Sequence, residues 1–408
     1  MATEMCVRFQ FIKVAVMFSK VEGPANHRSR VVEDKLVIAE ILRCPGCNSD
    51  LRLTGDDWTC PSCGLVAVQR SNIVDFLYNT PKIELANNGQ WELSEDQRTG
   101  VELLRLSETH CYSELKDQAR ALRTGKGGVF SDPHAELLDG RLAKLAQRRF
   151  ARRYEQVSSE VGRGHGQQIL HKIEKRLDDL NLAPAPKHLA VELAGGDGQY
   201  LPGFSANFES VLFVEGSLVN IVLARSLVRD AGLTNVSFVR ADVLDLPIRS
   251  SVASMVQANN VIEHVSDPQA LAHECARVTD PDGYSVVVSP NRMSVFLEPH
   301  FRLPLYGLIP KAVRLFLIPI TRGKSSEAGT SPLSLGGLRK VLATVPFDWE
   351  IFLVPRGLRS TARTTPLRRI LVRALQSPLG GGVDWLLNKV LLPVAPTHTA
   401  VGSLRKQR

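Results

Sequence analysis

Carboxylates and a run of glycines stand at the ends of apolar segments in the middle of this 408-residue chain. In "HLAVELAGGDGQYLPGF" (188–204), Glu192 closes an apolar run and passes into Ala194, Gly195, Gly196 and Gly198. A glycine-rich turn that opens a helix leaves backbone N–H groups unpaired and lets a ligand approach the main chain closely. Glu215 closes the next apolar run, "SVLFVEG", 23 residues after Glu192. A carboxylate there can accept hydrogen bonds from ribose hydroxyls, as in dinucleotide sites. Asp242, in "VRADVLDLP", can accept from an adenine amino group, and "ANNVIEHVSDP" adds Asn259, Asn260 and His264. The chemistry indicated is recognition of a nucleotide-like ligand. The GxGxxG spacing of a nicotinamide site is absent from "AGGDGQYL", which argues against that rival.

A second cluster precedes these residues. Cys44, Cys47, Cys60 and Cys63 form C-x2-C-x12-C-x2-C. Each CxxC sets two thiolates on one tight turn, and two such knuckles complete a tetrahedral four-thiolate zinc site. Four thiolates close the coordination sphere, so the zinc expected here is structural. Cys6, Cys111 and Cys275 stand alone, a usage that fits a reducing compartment better than a disulfide framework.

Short apolar runs must position the acids. "HLAVELA", "SVLFVEG", "VSFVRAD", "SMVQANN" and "YSVVVSP" read as strands. "LVNIVLARSLVRDAG" and "PQALAHECARVTDPDG" read as helices. Strands alternating with helices predict an α/β fold with a parallel sheet and right-handed crossovers. "DWEIFLVPRG" (348–357) and "HTAVGSLRK" (398–406) are expected to add a hairpin to it. Five regions follow: a leader over 1–35, a zinc ribbon over 36–80, a charged helical segment over 81–184, the nucleotide-binding core over 185–295, and a basic extension over 296–408. "LVAVQRSNIVDFL" (65–77) reads as the ribbon's closing strands, and "HAELLDGRLAKLAQRRFARRYEQVSSEV" (134–161) as a helix.

Taken together, "VELAGGDG", "VEGS", "RADVLDLP", "NNVIEHVSDP" and "ECARVTDPDGYSVVVSPNR" resemble the class I S-adenosylmethionine-dependent methyltransferases, in their broad small-molecule branch, over about 188–292. The resemblance implies a Rossmann-like doubly wound sheet and S-adenosylmethionine as cofactor. It further implies that Glu192 organises the turn and the methionine amino group. Gly195, Gly196 and Gly198 would pass beside the cofactor, with Ala194 where the family usually has its first glycine. Glu215 would bind ribose, Asp242 and Val243 would border adenine, and Asn259 would face the crevice. His264, beyond the fourth strand, is the candidate general base, needed where the acceptor is a protonated hydroxyl; His300 in "EPHFRLP" is a second. "NVIEH" resembles a Glu-x-x-Glu-His metal motif, with Asn260 in place of the first Glu. The cysteine module resembles the zinc ribbons that activate tRNA and protein methyltransferases.

The expected acceptor is a hydroxyl or amine of a small molecule, glycan or lipid intermediate. One rival is an RNA methyltransferase guided by the ribbon and basic tail. The ribbon is not basic, however, and its Trp58, which could stack a base, is expected to pack instead. Another rival is a non-catalytic, zinc-dependent partner module. The chain's net charge of +8 is unevenly placed: 18 Lys/Arg stand against 5 Asp/Glu from Arg292 onward. "PLYGLIPKAVRLFLIPITRGK" and "PLRRILVRALQSPLGGGVDWLLNKVLLP", with Trp385, mix that charge with apolar residues. Such segments suit peripheral contact with a membrane. No window reads as a transmembrane helix, and a cytoplasmic location is expected.

Overall fold

The computed structural model describes residues 38–123, most of 170–178, 186–294, 303, 305–321, 329–352, 392 and 397–404. The leader, the segment 134–161, His300 and Trp385 lie outside the described residues.

The chain enters through four short strands, β1 (Arg52–Thr54), β2 (Asp57–Thr59), β3 (Val66–Arg70) and β4 (Ile73–Asp75), each antiparallel to the next. A hairpin follows, β5 (Lys82–Leu85) and β6 (Gly89–Glu92), where the charged pattern had predicted helix. Its loop holds Asn87 and Asn88 at φ 53° and 55°. Left-handed geometry at two consecutive residues suits the twist of a tight hairpin. Two helices then run, α1 (Leu93–Leu106) and α2 (Tyr112–Arg123).

The core alternates as its period predicted: β7 (Leu189–Leu193), α3 (Leu201–Ser205), β8 (Ser210–Glu215), α4 (Leu218–Asp230), β9 (Val236–Arg240), β10 (Ala253–Asn259), α5 (Pro268–Val278) and β11 (Thr279–Pro290). Beyond it lie α6 (Lys311–Thr321), α7 (Leu335–Leu342), β12 (Asp348–Phe352) and β13 (Thr397–Ser403). Helix starts are written in the sequence. Ser217 accepts from Asn220 N at the head of α4, and Asp267 accepts from Gln269 N and Ala270 N ahead of Pro268 in α5. Each such cap contributes about 1 kcal/mol.

One 11-stranded sheet runs β1-β2-β3-β4-β9-β8-β7-β10-β11-β13-β12. Pairing is parallel from β4 through β11, and the expected C-terminal hairpin adds β13 and β12 antiparallel. All five residues of β7 are buried, as a strand covered on both faces requires. One apolar layer, under α5 and α7, includes Val191, Val214, Val239, Val256 and Val287. The opposite layer, under α3 and α4, includes Ala190, Phe213, Phe238, Met255 and Val286. The ribbon is not a separate module: β4 pairs with β9 through Ile73↔Phe238, Val74↔Val239 and Asp75↔Arg240. Its first knuckle also docks on the core, with Arg43 N donating to Pro247 O, Arg249 N to Ile41 O, and Arg249 paired to Asp50 at 2.7 Å.

Candidate active site

The chain leaves β7 for β8 on one side and later returns to place β10 on the other. That reversal opens a crevice at the carboxyl ends of the strands, where open α/β sheets bind ligands. The predicted residues fall at that end: Glu192 stands one residue before the end of β7 and Ala194 follows the strand, Glu215 closes β8, Asp242 and Val243 follow β9, and Asn259 closes β10.

The small residues of the turn serve different needs. Gly196 and Gly198 have φ of 62° and 79°, and Ala194 is forced to 47°, where a β-carbon costs about 1–2 kcal/mol. Space beside Gly196 is open, whereas a β-carbon at Gly198 would meet Leu201 and Ala224 at 2.7 and 2.8 Å. Gly195 is different again. A β-carbon there would collide with the Glu192 carboxylate and lie 2.7 Å from Phe213. Its small size makes room for the chain's own acid beneath the turn, not for a ligand above it.

Glu192 is buried, and neither carboxylate oxygen has a hydrogen-bond partner among the described residues. Burial, then the nearby Glu215 and Asp197, hold its carboxyl well above the ordinary range. Gln257 stands opposite it on β10, fully buried, its amide atoms likewise unpartnered among the described residues. Unpaired buried polar groups are costly, so this pair marks a place prepared for a hydrogen-bonding or cationic partner. Glu215 accepts from Gly196 N and from Ser217 N, both at 3.0 Å. It thereby joins the glycine turn to the head of α4. Burial pushes its pKa up to about 7. Asp242 accepts from Leu244 N at 2.9 Å, and its pKa is also raised by burial.

Elements outside the core complete the crevice. From α2, Tyr112 and Lys116 reach Asp197 of the glycine turn at 2.7 and 2.6 Å. From β6, Trp91 lies over Gly216, its ring 3.0 Å from where a β-carbon would stand. Asn259 Nδ2 donates to the Tyr200 hydroxyl at 2.5 Å. His264 Nδ1 lies 2.7 Å from Gly329 O, a contact that needs the proton on Nδ1 and leaves the lone pair of a neutral ring on Nε2. The His264 carbonyl accepts from Ala86 N, so the hairpin of β5 and β6 is stitched to the crevice rim.

Arg240, at the end of β9, is fully buried and ties three regions together. It donates to Gly216 O at 2.9 Å, to Asp75 of β4 at 3.1 Å, and to Gln97 and Asp96 of α1 at 2.9 and 3.4 Å. Asp96 in turn accepts from Ser217 Oγ at 2.6 Å and Leu218 N at 2.7 Å. Gly100 lets α1 come this close, since a β-carbon would lie 2.5 Å from Leu218. The turn bearing Glu215 is thus clamped from α1 and from the ribbon. Sequence reading missed this clamp, because an arginine closing a strand carries no mark of its distant partners. A cavity of about 440 Å³ is lined by Tyr78, Ser94, Arg98 and the clamp residue Gln97, and by no residue of the glycine turn.

The four cysteine sulfurs lie within 4.8 Å of one another. Cys44–Cys63 and Cys47–Cys60 approach to 3.5 and 3.4 Å. Zinc–sulfur bonds of about 2.3 Å in a tetrahedron put sulfurs about 3.8 Å apart, so this cluster has the donors and size for that ion. Trp58 is buried, with Nε1 donating to Gln69 Oε1 at 3.0 Å, and offers no face to a nucleic-acid base.

Residues 191–287 match the family described as "Methyltransferase domain". An uncharacterized methyltransferase of Mycolicibacterium vanbaalenii is 31% identical over 97 residues, 24% of this chain and 37% of that protein. The chain therefore matches just over a third of that relative's length. Among solved structures, the YcgJ protein of Bacillus subtilis is 13% identical, covering 58% of this chain and 99% of its own, at a TM-score of 0.36. A putative sarcosine dimethylglycine methyltransferase from Galdieria sulphuraria is 15% identical, covering 58% and 84%, at 0.38. Residues 191–287 are thus similar to a methyltransferase domain, and they lie in a sheet of Rossmann-like strand order.

Proposed function

We propose that the chain is an S-adenosylmethionine-dependent methyltransferase acting on a hydroxyl or amine of a small-molecule, glycan or lipid acceptor. The observation that carries this reading is the buried Glu192 carboxylate beneath the glycine turn, without a hydrogen-bond partner among the described residues, beside Glu215 at the next strand end. The cofactor's ammonium and sulfonium charges match an acidic floor, and its ribose diol matches Glu215, which retains lone pairs beyond its two backbone bonds. Gly196 leaves open space, Asp242 and Val243 stand where they would border the base, and Trp91 offers it a flat apolar wall.

S-adenosylmethionine supplies an activated methyl group, whose transfer is an in-line displacement that depends on alignment. The chain's contribution is to hold that geometry and to manage one proton. His264, its ring set by the contact of Nδ1 with Gly329 O and with Glu263 3.9 Å from Nε2, is the candidate to take a proton from an acceptor hydroxyl. Cys44, Cys47, Cys60 and Cys63 would hold a structural zinc that stiffens the ribbon. Titration calorimetry with S-adenosylhomocysteine tests the cofactor site. Glu215→Ala should weaken binding by roughly 10-fold or more, on the order of 1–3 kcal/mol for lost charge-assisted bonds. Absence of binding to the wild-type protein at millimolar cofactor would refute the reading. Incorporation of labelled methyl groups into fractionated cell extract then identifies the acceptor.

A further inference from the structure

Helix α2 lies outside the matched segment 191–287, yet it sets a cation on the glycine turn. Lys116 Nζ donates to Asp197 Oδ2 at 2.6 Å and to the Tyr112 hydroxyl at 2.9 Å. That hydroxyl donates to the same Asp197 oxygen at 2.7 Å. An ammonium and a hydroxyl thus converge on one carboxylate oxygen. The side chains of Lys116 and Asp197 are 12% and 17% exposed, so salt and water screen the pair far less than a surface ion pair. Docking of the helix does not require this contact. Leu115 and Ala119 of α2 are buried in the apolar layer that includes Phe213, and Tyr112 N donates to Asp230 at 2.7 Å. Arg229 of α4 also donates to the carbonyls of Ser107 and His110, just ahead of α2.

We propose that Lys116 and Tyr112 hold the carboxylate of the cofactor's amino-acid tail, with Asp197 beside them for its ammonium. The assignment rests on reading the crevice as an S-adenosylmethionine site, and it supplies a charge that the acids there do not. Glu192 and Glu215 are carboxylates, and Asp197 faces the same crevice, where it helps to hold the Glu192 carboxyl above the ordinary range. Such a floor suits the ammonium and the sulfonium, but a zwitterionic tail also brings an anion, which carboxylates repel. Lys116 answers that anion. The distances to Asp197 Oδ2 show that the Lys116–Tyr112 pair is spaced to bind a carboxylate oxygen. The space beside Gly196, the residue before Asp197, is open. On this reading α2 belongs to the cofactor site, and the matched segment alone lacks one of the site's walls.

The test is titration calorimetry of the full-length protein with S-adenosylhomocysteine and with its decarboxylated analogue, whose tail keeps the ammonium and lacks the carboxylate. Lys116→Met should weaken S-adenosylhomocysteine binding about tenfold or more, the size of one lost charge-assisted bond, and should not weaken the analogue. Tyr112→Phe should lower the same preference by about threefold or more. Lys116→Arg should keep most of it by keeping the charge. The ratio of the two affinities separates this role from a structural one, since a loosened turn would weaken both ligands alike. Unchanged binding of S-adenosylhomocysteine by Lys116→Met, or an equal loss for both ligands, would overturn the assignment and leave the cofactor reading in place. No binding of either ligand by the wild-type protein would refute the cofactor reading, and this assignment with it.

Discussion

Replacing Asp75 by asparagine probes whether the ribbon supports the proposed cofactor site. Asp75 Oδ1 accepts from Leu77 N at 2.9 Å while Oδ2 accepts from Arg240 at 3.1 Å. An asparagine has one oxygen for these two donors, so its NH2 must face either Leu77 N–H or the guanidinium. The change also strips Arg240, which is fully buried, of its nearer counter-ion and leaves Asp96 at 3.4 Å. A charge-assisted bond contributes about 1.5–3 kcal/mol, and breaking one partner of a buried pair costs about 3–5 kcal/mol. The remaining partner Asp96 places the expected loss at about 2–4 kcal/mol in urea unfolding. Arg240 also holds Gly216 O beside Glu215, so S-adenosylhomocysteine affinity should fall about fivefold or more, matching about 1 kcal/mol of lost positioning. Burial raises the Asp75 pKa in spite of the neighbouring arginine, the mark of a pair whose desolvation outweighs its attraction. Asp75→Leu combined with Arg240→Met should therefore recover stability relative to either single change, but not affinity. An Asp75→Asn protein that unfolds within about 0.5 kcal/mol of wild type and binds equally well would refute the clamp.

Three further outcomes are expected. Ala194→Gly removes a β-carbon from a left-handed residue and should stabilise the protein by about 0.5–1 kcal/mol after the glycine's added unfolded-state entropy; a loss of stability in urea would contradict the strain. Glu215 titrates at about 7 against an ordinary 4.5, beneath Asp96, Asn220, Gly196 N and Ser217 N. Between those values the folded state holds the extra proton, so stability attributable to this group falls as pH rises from about 4.5 to 7. Affinity for S-adenosylhomocysteine should instead rise from pH 6 to about 8, and Glu215→Gln should flatten that profile in calorimetry. Elemental analysis should find one zinc per chain, and chelation or Cys60→Ser should destabilise the whole sheet as well as the ribbon. A metal-free protein with unchanged unfolding would remove the ion from this account.

Much of the core was legible because its strands are buried on both faces and read as apolar runs ending in acids. Glu192, Glu215 and Asp242 mark those ends in the sequence and in the sheet alike. The ribbon's union with the sheet was not legible. Residues 73–75 make a three-residue strand, and its parallel partner lies more than 150 residues away, beyond any local pattern. The β5–β6 hairpin was hidden by charge, although Asn88-Gly89, where the loop passes into β6, is a turn signal that could have found it. Tyr112 and Lys116 stand one helical turn apart, so their shared face is readable; that it meets Asp197 is decided by how α2 packs on α4. Gly195 was expected to pass beside a cofactor; that a β-carbon there would also collide with Glu192 is a second demand for glycine that the sequence does not show.

Since β4 covers the outer border of β9, the recognised segment 191–287 does not end where its backbone bonding ends. Pruning the chain to that segment would strip the third parallel strand bare on one side and present an unsatisfied row of N–H and C=O groups to solvent. Natural sheets rarely leave such a border uncovered, because strands of other copies add to it. Expressed alone, the segment 191–287 should self-associate through that border, which residues 73–75 cap in the full chain.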